Sequence, residues 1–287
     1  MEKKTGELLS LHTTFRIGGP AKSFISVSDI DELRQALSDA HRPFIIGQGS
    51  NILADDGGYD GDVIKLTGSF TRVRAEGDEI TAGSGALLSS AAVAAAEASL
   101  TGLEFSYGIP GTVGGAVCMN AGAFGGEMKD VVSKVFIYDR ETGRELQLSR
   151  DDMCFGYRES LVKARTPDEA RYIVTGAVMS LERGVRSEIE EKMAEIQDRR
   201  RSRQPLQYSS AGSVFKRPEG YFAGKLIEEA GMKGASVGGA RVSDMHAGFI
   251  INTGEATSRD VKTLIAEVQD RVYGNSGVRL EREIMYL

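Results

Sequence analysis

Residues 102–131 read GLEFSYGIPGTVGGAVCMNAGAFGGEMKDV, and eight of these thirty residues are glycine. Glycine in place of alanine weakens a helix or strand by roughly 0.5–1 kcal/mol. Clustered glycines therefore usually mark positive-φ turns, or places where the backbone approaches a ligand closely. Successive exposed backbone N–H groups form concave sites for anions. We therefore predict that a large, phosphate-bearing cofactor lies across residues 102–131.

An ordinary glycine-rich loop is the alternative, because one glycine motif is a weak signal by itself. The stretch does not follow the G-x-G-x-x-G pattern that opens a single helix, so it does not predict a Rossmann pyrophosphate site. A second glycine turn lies upstream, at Gly47-Gln48-Gly49-Ser50-Asn51. The two turns together favour the cofactor hypothesis over the loop.

Composition excludes several classes of protein. The chain has 287 residues and is 41% hydrophobic, which is enough for two domains or for one large domain with a subdomain. Its net charge of −6 argues against a broad surface for nucleic acid or anionic membrane. Cys118 and Cys154 have neither the number nor the spacing of a disulfide framework or a zinc site. The three histidines do not pair at metal-ligand spacing, so we predict no metal site.

The N-terminal sequence lacks the apolar run of a signal peptide. The alanine-rich run Ala82–Ala98 is too short, and too interrupted by polar residues, to span a bilayer. We expect a soluble cytoplasmic protein that is a monomer and has neither a membrane nor a nucleic-acid partner.

The order of strands and helices predicts an α+β fold, because many strand pairs are too close in sequence for βαβ crossovers. Predicted strands cover Phe24–Val27, Pro43–Ile46, Val63–Leu66, Glu79–Ala82, Val132–Tyr138, Glu145–Leu148, Tyr172–Leu181, His246–Asn252 and Val278–Tyr286. Predicted helices begin at the caps Ser28 and Thr257, cover Ala86–Ser99 and Gly224–Gly231, and follow the apolar stripe Val185, Ile189, Met193 and Ile196.

Three further features concern boundaries. We expect Gly274 to end the helix that Thr257 caps. A domain boundary is predicted near Glu182–Gly184. The basic run Arg199–Arg203 ends the helix that follows this boundary. Such a run is either a solvated helix end, favourable to the helix dipole, or part of an anion site.

Four sequence blocks together resemble one family, the UDP-N-acetylenolpyruvoylglucosamine reductases (MurB enzymes). The blocks are Thr14-Phe15-Arg16-Ile17-Gly18-Gly19, Gly47-Gln48-Gly49-Ser50-Asn51-Ile52-Leu53, residues 102–131 and Ala211-Gly212-Ser213-Val214-Phe215-Lys216. Phe155–Ser160 and Leu280–Glu283 add to the match, which extends over nearly the whole chain. Each block is weak alone, but GIPGTVGGA and AGSVFK at this separation are highly specific.

The resemblance implies an enzyme that binds FAD and uses NADPH. It implies the vanillyl-alcohol-oxidase type of FAD-binding fold, with two α+β lobes over residues 1–184, and a C-terminal α+β substrate-binding domain over residues 185–287. By position, the residues implied to contact FAD are Gly47, Gln48, Gly49, Ser50, Asn51, Ile52, Tyr107, Gly108, Ile109, Pro110, Gly111, Thr112, Gly114, Gly115, Asn120, Ala121 and Gly122.

The reaction implied is reduction of UDP-N-acetylglucosamine enolpyruvate to UDP-N-acetylmuramate, a step in peptidoglycan precursor synthesis. Flavin N5 would deliver hydride to the enolpyruvyl C3, and charge would develop at C2 as an enolate. Arg158, Ser213 and Glu283 match the family's catalytic positions. Arg158 and Glu283 would stabilise the enolate, which for a carboxyl group requires a raised pKa. Ser213 would protonate C2.

Each of these residues also has an ordinary structural explanation. Arg158 could form an ion pair with Glu159, and Glu283 could be an exposed strand residue. Glu281 would share a strand face with Glu283, because side chains alternate with a period of two. Ser213 could be a turn serine, with Ser209 and Ser210 close by. Only the match to the family motif separates these possibilities.

Arg203 and Lys216 are the candidate partners for the nucleotide diphosphate. The chain resembles the shorter family type, because only residues 182–185 separate Leu181 from the next helix and leave no room for a loop carrying a tyrosine lid. Two alternatives stay open, an FAD-dependent sugar or alcohol oxidase of the same fold and a non-catalytic nucleotide-binding protein. An oxidase would not need Ser213 or Glu283, and many oxidases of this fold attach the flavin covalently through His or Cys, for which the turns offer only Cys118.

Overall fold

The chain folds into two compact units whose segments alternate along the sequence, as seen in a computed structural model that describes residues 1–164, 166 and 169–287. Unit 1 comprises Met1–Thr5, Ser23–Gly47 and Gly61–Arg199. Unit 2 comprises Gly6–Lys22, Gln48–Asp60 and Arg200–Leu287. The boundary expected near Glu182–Gly184 does not coincide with a boundary between these units. The reason is local, since Glu182 and Arg183 form a short strand that pairs with Leu100 and Thr101 of unit 1.

Seven α-helices lie in the described part of the chain. They are α1 (Ile30–Asp39), α2 (Leu88–Glu97), α3 (Val113–Cys118), α4 (Met128–Val131), α5 (Arg186–Arg203), α6 (Ala223–Glu229) and α7 (Ser258–Ser276). Short 3-10 helices cover Leu9–Leu11, Gly68–Thr71 and Glu104–Ser106. None of the described helices is long and apolar enough to cross a bilayer.

Nineteen strands accompany them within the same described ranges. Those up to residue 123 are β1 (Glu2–Thr5), β2 (Ala21–Val27), β3 (Phe44–Ile46), β4 (Ile52–Leu53), β5 (Tyr59–Leu66), β6 (Val73–Glu76), β7 (Glu79–Gly83), β8 (Leu100–Thr101) and β9 (Gly122–Ala123). The later ones are β10 (Gly126–Glu127), β11 (Val132–Asp139), β12 (Arg144–Ser149), β13 (Tyr172–Ser180), β14 (Glu182–Arg183), β15 (Ser209–Ser213), β16 (Ser236–Val237), β17 (Ala240–Val242), β18 (Phe249–Asn252) and β19 (Met285–Tyr286).

Unit 1 contains an antiparallel sheet of five strands in the order β12-β11-β13-β7-β6. The predicted strands Val132–Tyr138 and Glu145–Leu148 correspond to β11 and β12, which pair as a hairpin. Helix α2 packs in the same core through small buried side chains, Ala91, Ala92, Ala95 and Ala96. Alanine is the best helix former and leaves no bulk between helix and sheet, so this sequence suits a closely packed helix.

A second sheet of unit 1 has the order β1-β2-β5-β3, with β1 and β2 antiparallel and β3 and β5 parallel. The first residues of β2 and β5 belong to unit 2. Helix α1 buries Leu33 and Ala36 in a cluster with residues of β2 and β5. Strand β3 ends at Ile46, and the glycine turn begins at the next residue.

The prediction that Ser28 caps α1 is wrong by one residue. Asp29 is the N-cap, and its side chain accepts a hydrogen bond from the Glu32 backbone N–H at 2.9 Å. Ser28 precedes the cap, and its backbone N–H and hydroxyl donate to the Glu32 carboxylate at 2.8 and 2.9 Å. Aspartate satisfies an orphan amide of the first turn as well as serine does, so the sequence offered two candidates.

Unit 2 contains a sheet of four strands in the order β15-β18-β17-β16, with antiparallel pairing between neighbours. Helices α6 and α7 cover its core, to which α7 contributes Val261, Leu264, Ile265, Val268 and Val272. Strand β19 pairs in parallel with β4, so the C-terminus joins a segment from the first quarter of the chain. The strand predicted over Val278–Tyr286 is therefore mostly irregular, and only Met285 and Tyr286 are in regular pairing.

Helix α7 begins where the sequence predicts, but it ends later. Thr257 and Asp260 form a reciprocal capping box. The helix continues through Gly274 to Ser276, and Gly277 adopts the left-handed conformation with φ of +71°. The prediction that Gly274 ends the helix is therefore wrong. The helix ends where a residue has a positive φ, and that residue is Gly277.

Gly274 and Gly277 are matched positions at which substitution by alanine should have opposite effects on stability. Gly274→Ala should raise the free energy of unfolding by roughly 0.5–1 kcal/mol, because alanine is the better residue inside a helix. Gly277→Ala should lower it by about 1 kcal/mol, because an L-residue is strained at this φ. A Cβ added at either glycine would have no atom of the described residues within 4 Å, so packing does not enter. Urea unfolding of both variants checks the signs, and equal effects would contradict the assigned helix end.

Candidate active site

The glycine-rich stretch of unit 1 is held by the turn between β7 and α2. The Gly114 N–H donates to the Ser84 carbonyl at 2.9 Å, and the Val113 N–H donates to the Ala86 carbonyl at 2.9 Å. The Leu88 N–H donates in return to the Gly111 carbonyl at 3.0 Å. This pairing attaches the GIPGTVGGA sequence to residues 84–88 at Gly111, Val113 and Gly114.

Several glycines here are required by the packing of the protein itself. A Cβ on Gly47 would lie 2.5 Å from Thr112 Oγ1, and one on Gly114 would lie 2.8 Å from Ser84 Cβ. A Cβ on Gly122 would lie 2.7 Å from Glu127 Cβ, and one on Gly126 would lie 2.7 Å from the Phe105 ring. The glycine pattern predicted close approach of a ligand and did not reveal these internal contacts. Glycine is needed at these positions whether or not a ligand touches them.

Two observations fit a polar ligand on these turns. In unit 1 the Ser84 hydroxyl is buried next to Gly114, and it has no hydrogen-bond partner among the described residues. Native proteins rarely leave a buried hydroxyl unpaired, and an absent ligand or water is a usual explanation. In unit 2 no acceptor from the described residues meets the backbone N–H groups of residues 48–51. Successive unpaired N–H groups of this kind suit a phosphate.

The turn of residues 48–51 is shaped by Gly49, which has φ of +61°. A Cβ on Gly49 would lie 2.3 Å from the His12 carbonyl oxygen, and the Gly49 carbonyl accepts a hydrogen bond from Thr14 N–H at 3.3 Å. The turn therefore packs against the N-terminal segment at His12 and Thr14. Ile52, another predicted cofactor residue, is buried in β4.

The other predicted cofactor residues of unit 1 differ in exposure. Thr112 is buried as the N-cap of α3, and Asn120 is completely buried. Gly108, Pro110 and Gly115 are exposed. The half-buried residues are Gly47, Tyr107, Ile109, Gly111, Gly114, Ala121 and Gly122.

Arg158 lies in a tight turn of unit 1 that residues 156–159 close by reciprocal backbone hydrogen bonds. Its backbone has φ of +56°, and its Nη2 donates to the Gly122 carbonyl at 3.1 Å. The Glu159 carboxylate meets Lys163 Nζ at 2.9 Å, so this glutamate has a cationic partner other than Arg158. Arg158 is thus joined directly to the predicted cofactor segment at Gly122.

Ser213 and Glu283 lie on neighbouring segments of unit 2. The Glu283 N–H donates to the Val214 carbonyl at 2.8 Å, so the residue after Ser213 is paired directly with Glu283. Asn51 Nδ2 donates to the Glu283 carbonyl at 3.3 Å. The glycine turn, the AGSVFK block and the C-terminal block therefore meet in one place. Ser209 and Ser210 share β15 with Ser213. Ser210 pairs with Ile251 of β18, whereas Ser213 pairs with Phe249.

Glu281 and Glu283 do not share the face of a regular strand as expected, since no ladder covers residues 278–284. Glu281 is exposed, and its carboxylate meets Lys216 Nζ at 2.6 Å. Lys216, a predicted diphosphate ligand, is itself mostly buried and therefore fixed in direction. The structure separates the two glutamates by position: Glu281 offsets the charge of Lys216, whereas Glu283 is next to the Ser213 segment.

The basic run at the end of α5 is not uniformly solvated. Arg203, the second predicted diphosphate ligand, is exposed at the last residue of the helix. Arg200 is only 6% exposed, and burial lowers its pKa to about 10, so it remains charged at neutral pH. A sequence pattern of consecutive arginines did not reveal which one is buried. Among the described residues no group of three or more His, Cys, Asp or Glu side chains is arranged to hold a metal.

The unpaired Ser84 hydroxyl leads to a stability prediction for the cofactor-free protein. Ser84→Ala should leave its free energy of unfolding unchanged or raise it, because the hydroxyl is desolvated without a compensating bond. Ser106→Ala is the control, since the equally buried Ser106 hydroxyl donates to the Leu103 carbonyl at 2.7 Å. We expect that variant to lose about 1 kcal/mol. Denaturant unfolding measures both, and a loss at Ser84 as large as that at Ser106 would contradict the prediction.

Two family models match the chain. Residues 21–149 match a model described as "FAD binding domain", and residues 204–287 match "UDP-N-acetylenolpyruvoylglucosamine reductase, C-terminal domain". These matches bear out FAD as the expected cofactor.

Relatives match over almost the whole chain. A UDP-N-acetylenolpyruvoylglucosamine reductase from Caldanaerobacter subterraneus subsp. tengcongensis is 49% identical over 282 residues, which cover 97% of this chain and 91% of the relative. One from Clostridioides difficile is 44% identical over 288 residues, which cover 99% and 93%. The crystal structure of UDP-N-acetylenolpyruvylglucosamine reductase (MurB) from Thermus caldophilus is 37% identical, covers 99% of this chain and 98% of its own, and superposes with a TM-score of 0.86.

These similarities confirm the predicted fold class, an α+β FAD-binding fold of the vanillyl-alcohol-oxidase type followed by a C-terminal α+β domain. They agree with the sequence blocks that suggested the resemblance, and with the convergence of three of those blocks in unit 2. The chain therefore belongs to the UDP-N-acetylenolpyruvoylglucosamine reductase family.

Proposed function

We propose that this protein reduces UDP-N-acetylglucosamine enolpyruvate to UDP-N-acetylmuramate with NADPH, as a cytoplasmic, monomeric enzyme of peptidoglycan precursor synthesis. Family membership supports the activity. The observation that carries the proposal is the pairing of the Ser213 segment with Glu283, through the 2.8 Å hydrogen bond from Glu283 N–H to the Val214 carbonyl. This bond brings together the backbone segments that carry the Ser213 hydroxyl and the Glu283 carboxyl group. Protonation of an enolate needs a proton donor such as a hydroxyl, whereas oxidation of an alcohol does not.

FAD, when bound, supplies the hydride that reduces the enolpyruvyl double bond. The residues proposed to hold it are those predicted from the sequence: residues 47–52, residues 107–112, Gly114, Gly115 and residues 120–122. The unpaired N–H groups of residues 48–51 suit its pyrophosphate. The unpaired Ser84 hydroxyl adds a polar atom that was not predicted from the sequence.

Arg158 is proposed to hold the carboxylate of the enolpyruvyl group and to stabilise the negative charge that develops there. Its planar guanidinium can form two parallel hydrogen bonds to a carboxylate. Donors aimed in advance at developing charge usually supply the largest share of catalysis. The bond from Nη2 to the Gly122 carbonyl sets the direction of the guanidinium before substrate arrives.

Ser213 is proposed to donate the proton to C2, and Glu283 to act with Arg158 on the enolate. A serine hydroxyl is a poor acid at neutral pH, but a carbanion-like centre is more basic than an alkoxide held by hydrogen bonds. A positioned proton donor contributes typically about 10²–10⁴-fold to a rate. Half-burial of both residues limits the access of competing water.

Lys216 and Arg203 are proposed to bind the diphosphate of the sugar nucleotide. Cationic side chains form short, charge-assisted hydrogen bonds to phosphate oxygens. The 2.6 Å contact with Glu281 holds the Lys216 ammonium in place, although it also offsets part of its charge. Arg203 is exposed and therefore accessible to a ligand from solvent.

Ser213→Ala is expected to separate the two half-reactions. Reduction of the flavin by NADPH should stay within about twofold of wild type, whereas reoxidation by the enolpyruvyl substrate should slow by about 10²–10⁴-fold, because only the second step needs the proton. Anaerobic stopped-flow absorbance measures each step. Ser210→Ala, in the same strand, is the matched control and should behave as wild type. Equal losses in both half-reactions would remove Ser213 from the role of proton donor.

The same spectra test the function itself. A flavin band that NADPH bleaches and the enolpyruvyl substrate restores supports the reductase. Restoration by oxygen alone would indicate the oxidase alternative. Covalent attachment through Cys118 is disfavoured, because burial raises the pKa of its thiol to about 11 and leaves little thiolate at neutral pH. Denaturation should therefore release FAD from the protein.

A further inference from the structure

Asn120 is completely buried in unit 1, and every polar atom of its side chain is engaged by the protein. Nδ2 donates to the Gly156 carbonyl at 2.8 Å and to Glu127 Oε2 at 2.7 Å, and Oδ1 accepts from the Lys129 N–H at 2.9 Å. These partners fix the orientation of the amide, since two acceptors meet the nitrogen and one donor meets the oxygen. The side chain is therefore committed, and only the backbone of Asn120 remains for the predicted contact with FAD.

One of these bonds holds the backbone of Arg158. Gly156 and Glu159 close the turn that contains Arg158, with N–H to carbonyl distances of 3.0 and 3.3 Å. Lys163 Nζ donates to the Arg158 carbonyl at 2.7 Å from the other side. Arg158 has φ of +56°, a conformation that non-glycine residues adopt only when their surroundings impose it.

The bonds of Asn120 to Glu127 and Lys129 hold the segment that includes Gly122, whose carbonyl is the acceptor for the Arg158 side chain. Glu127 ends β10 and pairs with Gly122 of β9, and Lys129 follows in the first turn of α4. The Gly122 carbonyl accepts from Arg158 Nη2 at 3.1 Å. Asn120 itself has φ of +40°, a left-handed backbone conformation two residues before β9 begins.

We propose that Asn120 is the positioning residue for Arg158, because one buried amide fixes both the turn that carries the guanidinium and the carbonyl against which it is aimed. This inference rests on the proposed function of Arg158. It assigns no contact of Asn120 with substrate. A displacement of about 1 Å at a reacting group costs on the order of 100-fold in rate, so the loss of Asn120 should be measurable in the step that uses Arg158.

The test uses the FAD-loaded enzyme and the same two half-reactions. Asn120→Ala should slow reoxidation by the enolpyruvyl substrate by about 100-fold, at least about tenfold more than it changes flavin reduction by NADPH. Ser160→Ala is the matched control, because the Ser160 hydroxyl donates to the Cys118 carbonyl at 2.7 Å and so ties the same two segments together. That variant should lose stability and keep both rates.

A double-mutant cycle with Arg158→Ala gives a result that a purely structural role would not produce. If Asn120 acts through Arg158, Asn120→Ala should cause less than about a threefold further loss of the reoxidation rate in the Arg158→Ala protein. If Asn120 only supports the fold, its effect should be as large in that background as in wild type. Rates are measured well below the melting temperature of each variant.

The remaining outcomes are also decisive. If Asn120→Ala does not bind FAD or fold, Asn120→Ser, which keeps one donor, takes its place and should show an intermediate loss confined to reoxidation. Wild-type reoxidation rates in the Asn120 variants, or equal losses in both half-reactions, would overturn the inference. Failure of wild type itself to be reoxidised by the enolpyruvyl substrate would instead overturn the proposed function, so the two failures are distinguishable.

Discussion

The parallel pairing of β4 with β19 is the constraint on which unit 2 depends. Met285 N–H donates to the Asn51 carbonyl at 2.9 Å, Leu287 N–H donates to the Leu53 carbonyl at 3.0 Å, and Asp55 N–H donates to the Leu287 carbonyl at 2.7 Å. These bonds join the last residues of the sequence to residues 51–55, and the entropic cost of closing such a long loop rises only slowly with its length. The chain can therefore build one core from segments 6–22, 48–60 and 200–287. Because the pairing begins at Asn51, it also brings the glycine turn to the segment that carries Glu283.

In unit 1, small residues support the glycine-rich stretch. The pairing of residues 84–88 with residues 111–114 and the alanine-rich helix α2 give a rigid base for a stretch that has little regular structure of its own. Functional side chains on turns need such a base, since a turn has few interactions to hold it. Asn120 supplies such interactions for Arg158, because its buried amide bonds to the Gly156 carbonyl in the turn of Arg158 and to the Lys129 N–H in α4. The cost of burying that amide is offset because all of its hydrogen-bonding atoms are paired.

The sequence predicted the long helices α1, α2, α5 and α7 and the long strands β2, β5, β11 and β13, because their local signals are strong. Ten of the nineteen described strands were not predicted, and all ten are only two to five residues long. The β-branched run from Tyr172 forms β13, and the hairpin over residues 132–148 forms β11 and β12. Errors lay at ends and at irregular segments. The N-cap of α1 is Asp29 and not Ser28, and α7 ends at Gly277 and not at Gly274. Nearby residues with the same capping preference cannot be distinguished without the backbone geometry. The predicted C-terminal strand of nine residues has only two residues in the structure, because its partner β4 is itself only two residues long and lies far away in sequence.

By itself, the sequence determined the α+β class, the glycine turns, the identity of the family through its ordered blocks, and the residue types that the chemistry needs. These properties follow from local composition and spacing. Only the tertiary structure decided which residues meet. It paired the Ser213 segment with Glu283, assigned Glu281 to Lys216, buried Arg200 and gave Asn120 its three partners. Such contacts depend on hydrogen bonds between distant segments, and a one-dimensional pattern carries no information about their geometry.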